Sequence, residues 1–368
     1  MKTAIVHDWL TTYGGAERVL VALLDIFPDA DIYSLIYFPE KFIGTVLEKR
    51  SIKTSWLQKL TRYTKNHRLL LPLMPQAIES LDLHAYDLVI SSSFAVAKGI
   101  KTGPDQYHVA YIHSPMRYAW DMENEYLEQS RIGSGISGLI TRYMLHRLRI
   151  WDVTSSHSVD HFIANSSFVA RRIKKYYQRE AVIINPPVNI EEFPLVKSKF
   201  KYYVTSARLV SYKRLDLIVS AFNNFDEREL IVMGEGPQLP KIKSLAGPNV
   251  QVLGFQKRSR YIELISNARA FIFIAREDFG IAPVEAQAAG TPVIAYGAGG
   301  ALETVVDGKT GVLFYKQDVI SLREAIHRFE NMSVKLEATD CRTNAELFNE
   351  AVFKRKMLAF IKERIGNI

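Results

Sequence analysis

The sequence predicts an α/β protein made of two doubly wound, parallel-sheet domains facing a central cleft. Three observations predict it. Short apolar runs such as Ala270–Ala275 and Pro292–Tyr296 are each followed by a helical segment, as in parallel strands covered on both faces. The length, 368 residues, suffices for two cores. Midway, Asn185-Pro186-Pro187 and a charge run follow the strand Ala181–Ile184 and mark a domain boundary.

In the first half, Thr3–Trp9 reads as a strand that carries His7 and Asp8 at its end. Tyr13-Gly14-Gly15 then removes side chains in front of a helix over 16–27, leaving backbone donors for a phosphate. On that helix Glu17 is explained by the helix dipole alone. A further strand from Tyr107 ends at His113, just before Ser114-Pro115.

In the second half, a strand from Lys201 runs into a basic turn holding Arg208 and Lys213. A guanidinium fork and a point ammonium can neutralise a diphosphate without a metal ion. The strand Glu229–Met233 ends in Gly234-Glu235-Gly236-Pro237, a turn that lets backbone approach a ligand. Ala270–Ala275 delivers Glu277 to its carboxyl end, and the helix over 282–289 carries Glu285. Open parallel sheets bind ligands outside the carboxyl ends of their strands. Carboxylates placed there suit the hydroxyls of a sugar and a ribose. Finally Gly299-Gly300-Ala301-Leu302-Glu303 opens a helix, with Glu303 read as its cap.

Several classes are excluded. A dinucleotide-dependent dehydrogenase would place Gly-x-Gly-x-x-Gly after its first strand, and Leu239 stands where the later Gly234-x-Gly236 would need its third glycine. Asp29-Ala30-Asp31 reads as a polar turn rather than a metal site, no His and Cys cluster has zinc spacing, and no resident cofactor is expected. Cys341 is the only cysteine, so no intramolecular disulfide forms. The first residues lack the apolar core of a signal peptide, and no apolar run is long enough to span a bilayer. The net charge is +8. From Lys41 to Pro75 the basic residues Lys41, Lys49, Arg50, Lys53, Lys59, Arg62, Lys65 and Arg68 face only Glu48 and alternate with aromatic and aliphatic residues. The stretch from Ile136 to Trp151 carries Arg142, Arg147 and Arg149 without an acid. Either stretch reads equally as a solvated helix or as contact with an anionic membrane. No nucleic-acid-binding motif accompanies the charge, so no nucleic-acid partner is expected.

Taken in order, Arg208 with Lys213, the Gly234 turn, the two glutamates with seven residues between them, and the Gly299-Gly300 turn make the chain resemble the retaining glycosyltransferases of family GT4, which have the GT-B architecture of two Rossmann-like domains. The resemblance implies an acceptor-binding domain over 1–186, a nucleotide-sugar-binding domain over 187–343, and a segment 344–368 that crosses back onto the first. It implies that Arg208 and Lys213 grip the donor diphosphate, Glu277 the sugar hydroxyls and Glu285 the ribose. Gly14, Gly15, Gly234, Phe279, Gly280 and Ile281 would line the donor, His113 would help stabilise the reacting sugar, and His7 and Asp8 would meet the acceptor. The run from Glu277 to Val305 resembles GDP-mannose-dependent mannosyltransferases of bacterial surface polysaccharide assembly. A cytoplasmic enzyme peripheral to the inner membrane, acting on a lipid-linked glycan, would follow. A UDP-sugar transferase of the same family, a nucleotide-sugar epimerase and an inactive membrane-tethered binding module are the alternatives. Oligomeric state is not legible.

Overall fold

The computed structural model describes residues 1–64, 66–121, 123, 135–332 and 336–366, with backbone only for Arg68 and Ile136. Lys65 therefore lies outside the described residues. The chain divides into two compact units, one of Met1–Pro186 with Phe353–Ile368 and one of Pro187–Val352.

The first unit holds a seven-stranded sheet of β1 (Thr3–His7), β2 (Asp31–Ser34), β3 (Ile52–Thr54), β4 (Leu88–Ser93), β5 (Tyr107–Ile112), β6 (His161–Ala164) and β7 (Ala181–Ile183). Every pairing is parallel, in the order β3-β2-β1-β4-β5-β6-β7. Alternate residues of β1 feed separate cores, with Ile5 packing among Leu20, Leu23 and Tyr111 while Ala4 and Val6 pack with Met74 and Ile78. That two-residue period is why the strand reads as continuously apolar. The winding reverses between β1 and β4, so His7, Asp8 and Ser92 end at the switch point.

The second unit holds β8 (Tyr203–Ser206), β9 (Leu230–Met233), β10 (Val250–Gly254), β11 (Ala270–Phe273), β12 (Val293–Tyr296) and β13 (Gly311–Phe314). Its six parallel strands run β10-β9-β8-β11-β12-β13. Phe271 and Phe273 enter one core and Ala270 and Ile272 the other. Here the reversal falls between β8 and β11. The strand order thus sets the basic turn after β8 beside the acidic loop after β11.

The second unit continues past residue 343 to Val352. Ala345 and Phe348 are buried in its core, and Val188 bridges Asn349, which holds this stretch in place. The helix Glu350–Ile365 then inserts Phe353, Met357, Phe360 and Ile361 into the core of the first unit. No helix among the described residues is long and apolar enough to cross a membrane.

Candidate active site

Glu277 lies four residues beyond the end of β11, where it forms an ion pair with Lys213, the last residue of a 3-10 turn after β8. The two were separate sequence expectations. Both side chains keep limited solvent contact, 16% and 20%, so the pair is neither sealed nor fully screened. Arg208 stands exposed on the same loop and makes no ion pair among the described residues, leaving its five donors available. Arg214 follows with a left-handed backbone, φ +53°, which a non-glycine residue adopts only at a cost.

The glycine turns pack loop against loop. A Cβ on Gly234 would lie 1.9 Å from the carbonyl oxygen of Ala207, and one on Gly236 2.4 Å from that of Leu209. These glycines therefore let the turn after β9 press against the loop that carries Arg208. Gly300 does the same for Glu277: its N–H donates to the Glu277 carbonyl at 2.9 Å, and a Cβ would stand 2.2 Å from the Phe279 carbonyl oxygen. Four loops are thus joined in two pairs by backbone contact, and the Lys213–Glu277 ion pair links one pair to the other. Phe279 itself is buried and meets Phe348 edge-on at 5.4 Å, so its ring is core rather than ligand surface. Gly280, φ +88°, caps the helix that begins at Ile281.

Glu285 sits in that helix, only 3% exposed. Its carboxylate accepts from Arg258 Nη1 at 2.9 Å and from the Tyr261 hydroxyl at 2.5 Å. Arg258 also binds Glu192. Burial works against the guanidinium charge, and Glu285 and Glu192 more than restore it. Arg258 and Tyr261 were not singled out from sequence, because nothing in their spacing marks them as partners of a residue 24 to 27 positions away.

In the first unit His7 and Asp8 are fully buried, which corrects their assignment as acceptor contacts. Each Asp8 oxygen accepts two backbone N–H bonds, Oδ2 from Phe94 and Ala95 at 2.6 and 2.9 Å, Oδ1 from Val96 and Ala97 at 2.6 Å each. Burial pushes this carboxyl up while the amides and His7 pull it back; four donors are met together only by the ionised form. His7 Nδ1 lies 3.0 Å from Ser92 Oγ, and Ser92 Oγ lies 2.8 Å from His113 Nε2. Burial, with His7 nearby, pushes the His113 imidazole down to about 3, so it is neutral at pH 7. The His113 carbonyl accepts from Asn165 at 2.8 Å. Gly14 donates its N–H to Glu17 at 2.8 Å at the start of that helix. Asp31 binds Lys53 and Tyr86, and no group of three metal-ligating side chains occurs among the described residues.

Comparison with known proteins bears on the family and the fold. The family description "Glycosyltransferase Family 4" matches residues 13–192, and "Glycosyl transferases group 1" matches 170–348. An uncharacterized glycosyltransferase of Methanocaldococcus jannaschii is 27% identical over 175 residues, 45% of this chain and 48% of that protein. The capsular polysaccharide biosynthesis glycosyltransferase CapM of Staphylococcus aureus is 32% identical over 110 residues, 30% of this chain and 26% of that one. The chain spans about half the length or less of these curated relatives. Among solved structures, HepE of Anabaena in complex with UDP-glucose superposes with a TM-score of 0.72 at 18% identity, covering 99% of this chain and 100% of that one. Sucrose-phosphate synthase of Thermosynechococcus elongatus gives 0.74 at 16% identity, covering 99% of each. With two parallel-sheet units of the GT-B type and two family matches that together run from residue 13 to 348, the chain belongs to the family 4 glycosyltransferases.

Proposed function

We propose that the protein is a retaining, metal-independent hexosyltransferase that moves an α-mannosyl unit from GDP-mannose to a lipid-linked oligosaccharide in bacterial surface polysaccharide assembly. The observation that carries the reading is the Lys213–Glu277 pair beside exposed Arg208, at the β8/β11 switch point. In this reading the anomeric carbon–oxygen bond to phosphate breaks, and Arg208, Lys213 and the amides at Gly280–Ala282 neutralise the diphosphate that departs. Glu277 orients Lys213 and accepts from sugar hydroxyls, while Glu285, held by Arg258 and Tyr261, accepts from the ribose. The acceptor oxygen attacks on the face the phosphate leaves, and its proton passes to the departing phosphate. His113 hydrogen-bonds the reacting sugar.

A mannosyl donor is supported by the likeness of the 277–305 run to mannosyltransferases and by 26% identity, over 48% of this chain and 54% of that one, to an α-1,3/1,6-mannosyltransferase of Dictyostelium discoideum. The UDP-glucose held by HepE favours a second reading, a UDP-sugar donor. Thermal-shift measurements with GDP, UDP and ADP and their sugars separate the two, since selective ligands stabilise the folded state by mass action. A shift with UDP compounds alone retires the mannose assignment. Lys213→Ala should keep the fold and lose at least about tenfold in donor turnover; full activity would remove Lys213 from the site. No glycosylated product with any donor and a lipid-linked acceptor would favour the epimerase or the inactive module.

Membrane contact is part of the same proposal. On the helix Gly135–Ser155, Leu139, Ile140 and Tyr143 are exposed beside Arg142 and Arg147, and Tyr63 and Leu69 are exposed in the other basic stretch. Flotation with phosphatidylglycerol but not phosphatidylcholine vesicles is the expected result; flotation with neither ends this part.

A further inference from the structure

At the switch point of the first unit, four polar side chains from four elements stand in series: Glu17, His7, Ser92 and His113. Three of them are buried, with His7 and Ser92 fully enclosed and Glu17 6% exposed, while His113 at the end of the series is half-buried. The contacts are 3.5 Å from Glu17 Oε1 to His7 Nε2, 3.0 Å from His7 Nδ1 to Ser92 Oγ, and 2.8 Å from Ser92 Oγ to His113 Nε2. His7 Nε2 makes no hydrogen bond among the described residues, and Glu17 Oε1 approaches it at ion-pair distance. Burying such a set is costly unless its members satisfy one another.

We propose that Glu17, His7 and Ser92 are positioning residues that set the tautomer of His113, fixing its proton on Nε2 and presenting Nδ1 as a hydrogen-bond acceptor for a substrate hydroxyl. The logic is proton counting. Ser92 has one hydroxyl hydrogen between two imidazole nitrogens, so it can donate to only one of them, and the proposed series has it donate to His7 and accept from His113. The Glu17 carboxylate faces His7 Nε2 and favours a hydrogen there, because a lone pair in that place would oppose the negative charge. In this arrangement His7, with its hydrogen on Nε2, accepts at Nδ1 from Ser92. Ser92 in turn accepts from His113 Nε2–H, and Nδ1 of His113 is left with its lone pair. Glu17 cannot turn away, since its other oxygen accepts the Gly14 N–H at 2.8 Å. The glycine turn and the acid on the first helical turn therefore have a shared purpose that helix capping alone does not exhaust.

The orientation is reversible by a single change. In Glu17→Gln the carboxamide oxygen can stay on Gly14, which points the NH₂ group at His7 Nε2. That nitrogen must then accept, so His7 carries its proton on Nδ1, Ser92 donates to His113 Nε2, and His113 carries its proton on Nδ1. The acceptor face becomes a donor face without loss of the cap.

The role of the hydroxyl partner rests on the glycosyltransfer reading; the tautomer does not. Long-range ¹H–¹⁵N correlation spectra of the full chain labelled at histidine report the tautomer with no substrate present. The expected result is the Nε2–H form of His113 in the native protein and the Nδ1–H form in Glu17→Gln, with kcat for transfer lower by about tenfold to a hundredfold and the donor KM changed by less than about threefold. Ser92→Ala, a small deletion that cuts the series, should lose the fixed tautomer and a similar factor in kcat, and Ser92→Thr should recover most of both. An unchanged His113 tautomer and kcat in Glu17→Gln would overturn the proposal, as would a native Nδ1–H form. If Glu17→Gln does not fold, an unchanged His113 spectrum in Ser92→Ala overturns it equally. Absence of transfer with every donor, together with the expected tautomer switch, would fail the glycosyltransfer reading and leave the relay standing.

Discussion

Replacing Asp8 by Asn should destabilise the first unit severely, because the carboxylate divides four backbone N–H donors evenly between its two oxygens. An Asn side chain has one accepting oxygen, so it can serve one pair of amides while its NH₂ group faces the other two. Each buried N–H left without an acceptor costs about 1–3 kcal/mol, and the retained bonds lose their charge assistance, so the total is about 4 kcal/mol. For a unit of this size such a change lowers the melting temperature by roughly 10 °C. The assay is paired thermal and urea melts of native protein and Asp8→Asn, read by circular dichroism. A shift below about 2 °C together with a large loss of transfer would refute the reasoning and return Asp8 to the acceptor site the sequence suggested.

Gly300→Ala should separate the acidic loop from its neighbour, since the new Cβ would lie 2.2 Å from the Phe279 carbonyl oxygen. Stabilisation by the nucleotide donor should vanish in a thermal-shift assay, whereas Gly308→Ala, with nothing within 4 Å of its Cβ, should keep it and lose only about 1 kcal/mol to its left-handed backbone. Arg258→Met should weaken donor binding about tenfold by removing the guanidinium from Glu285, and combining it with Glu285→Gln should cost much less than the two single changes added, as measured by calorimetric titration. Stability should fall with pH between 6.5 and about 4, because burial pushes the His108 imidazole down to about 4. In that window the unfolded chain binds a proton at His108 that the folded chain refuses, a contribution of roughly 3 kcal/mol lost by the lower end; His113, pushed down to about 3, acts in the same direction, so His108→Gln should cut the slope of the urea midpoints over this range by about half.

Much of the second unit's site was legible before any coordinates, and the reason is local. A strand, a glycine and the charged residue after it lie within a dozen positions, so Arg208, Lys213, Gly234, Glu277 and Gly300 could each be placed at a strand's carboxyl end from periodicity and turn chemistry. The packing role of the glycines stayed hidden for an equally physical reason. Positive φ shows in the residue type, but the carbonyl that a Cβ would strike belongs to another loop. Arg258 and Tyr261 stayed hidden because helices carry many such side chains.

The sequence by itself determined the alternation of buried strands and helices, the break at Pro186-Pro187, and which charged residues stand at the sheet's rim, since all of these follow from hydrophobic period and local backbone chemistry. Only the tertiary structure decided which rim residues meet. The order β9-β8-β11 joins Lys213 to Glu277 across 64 positions, and the order β2-β1-β4-β5 closes Asp8 on amides 86 to 89 positions away and threads His7 through Ser92 to His113. Period two tells a residue which face of a sheet it takes, and carries no information about which strand lies beside it.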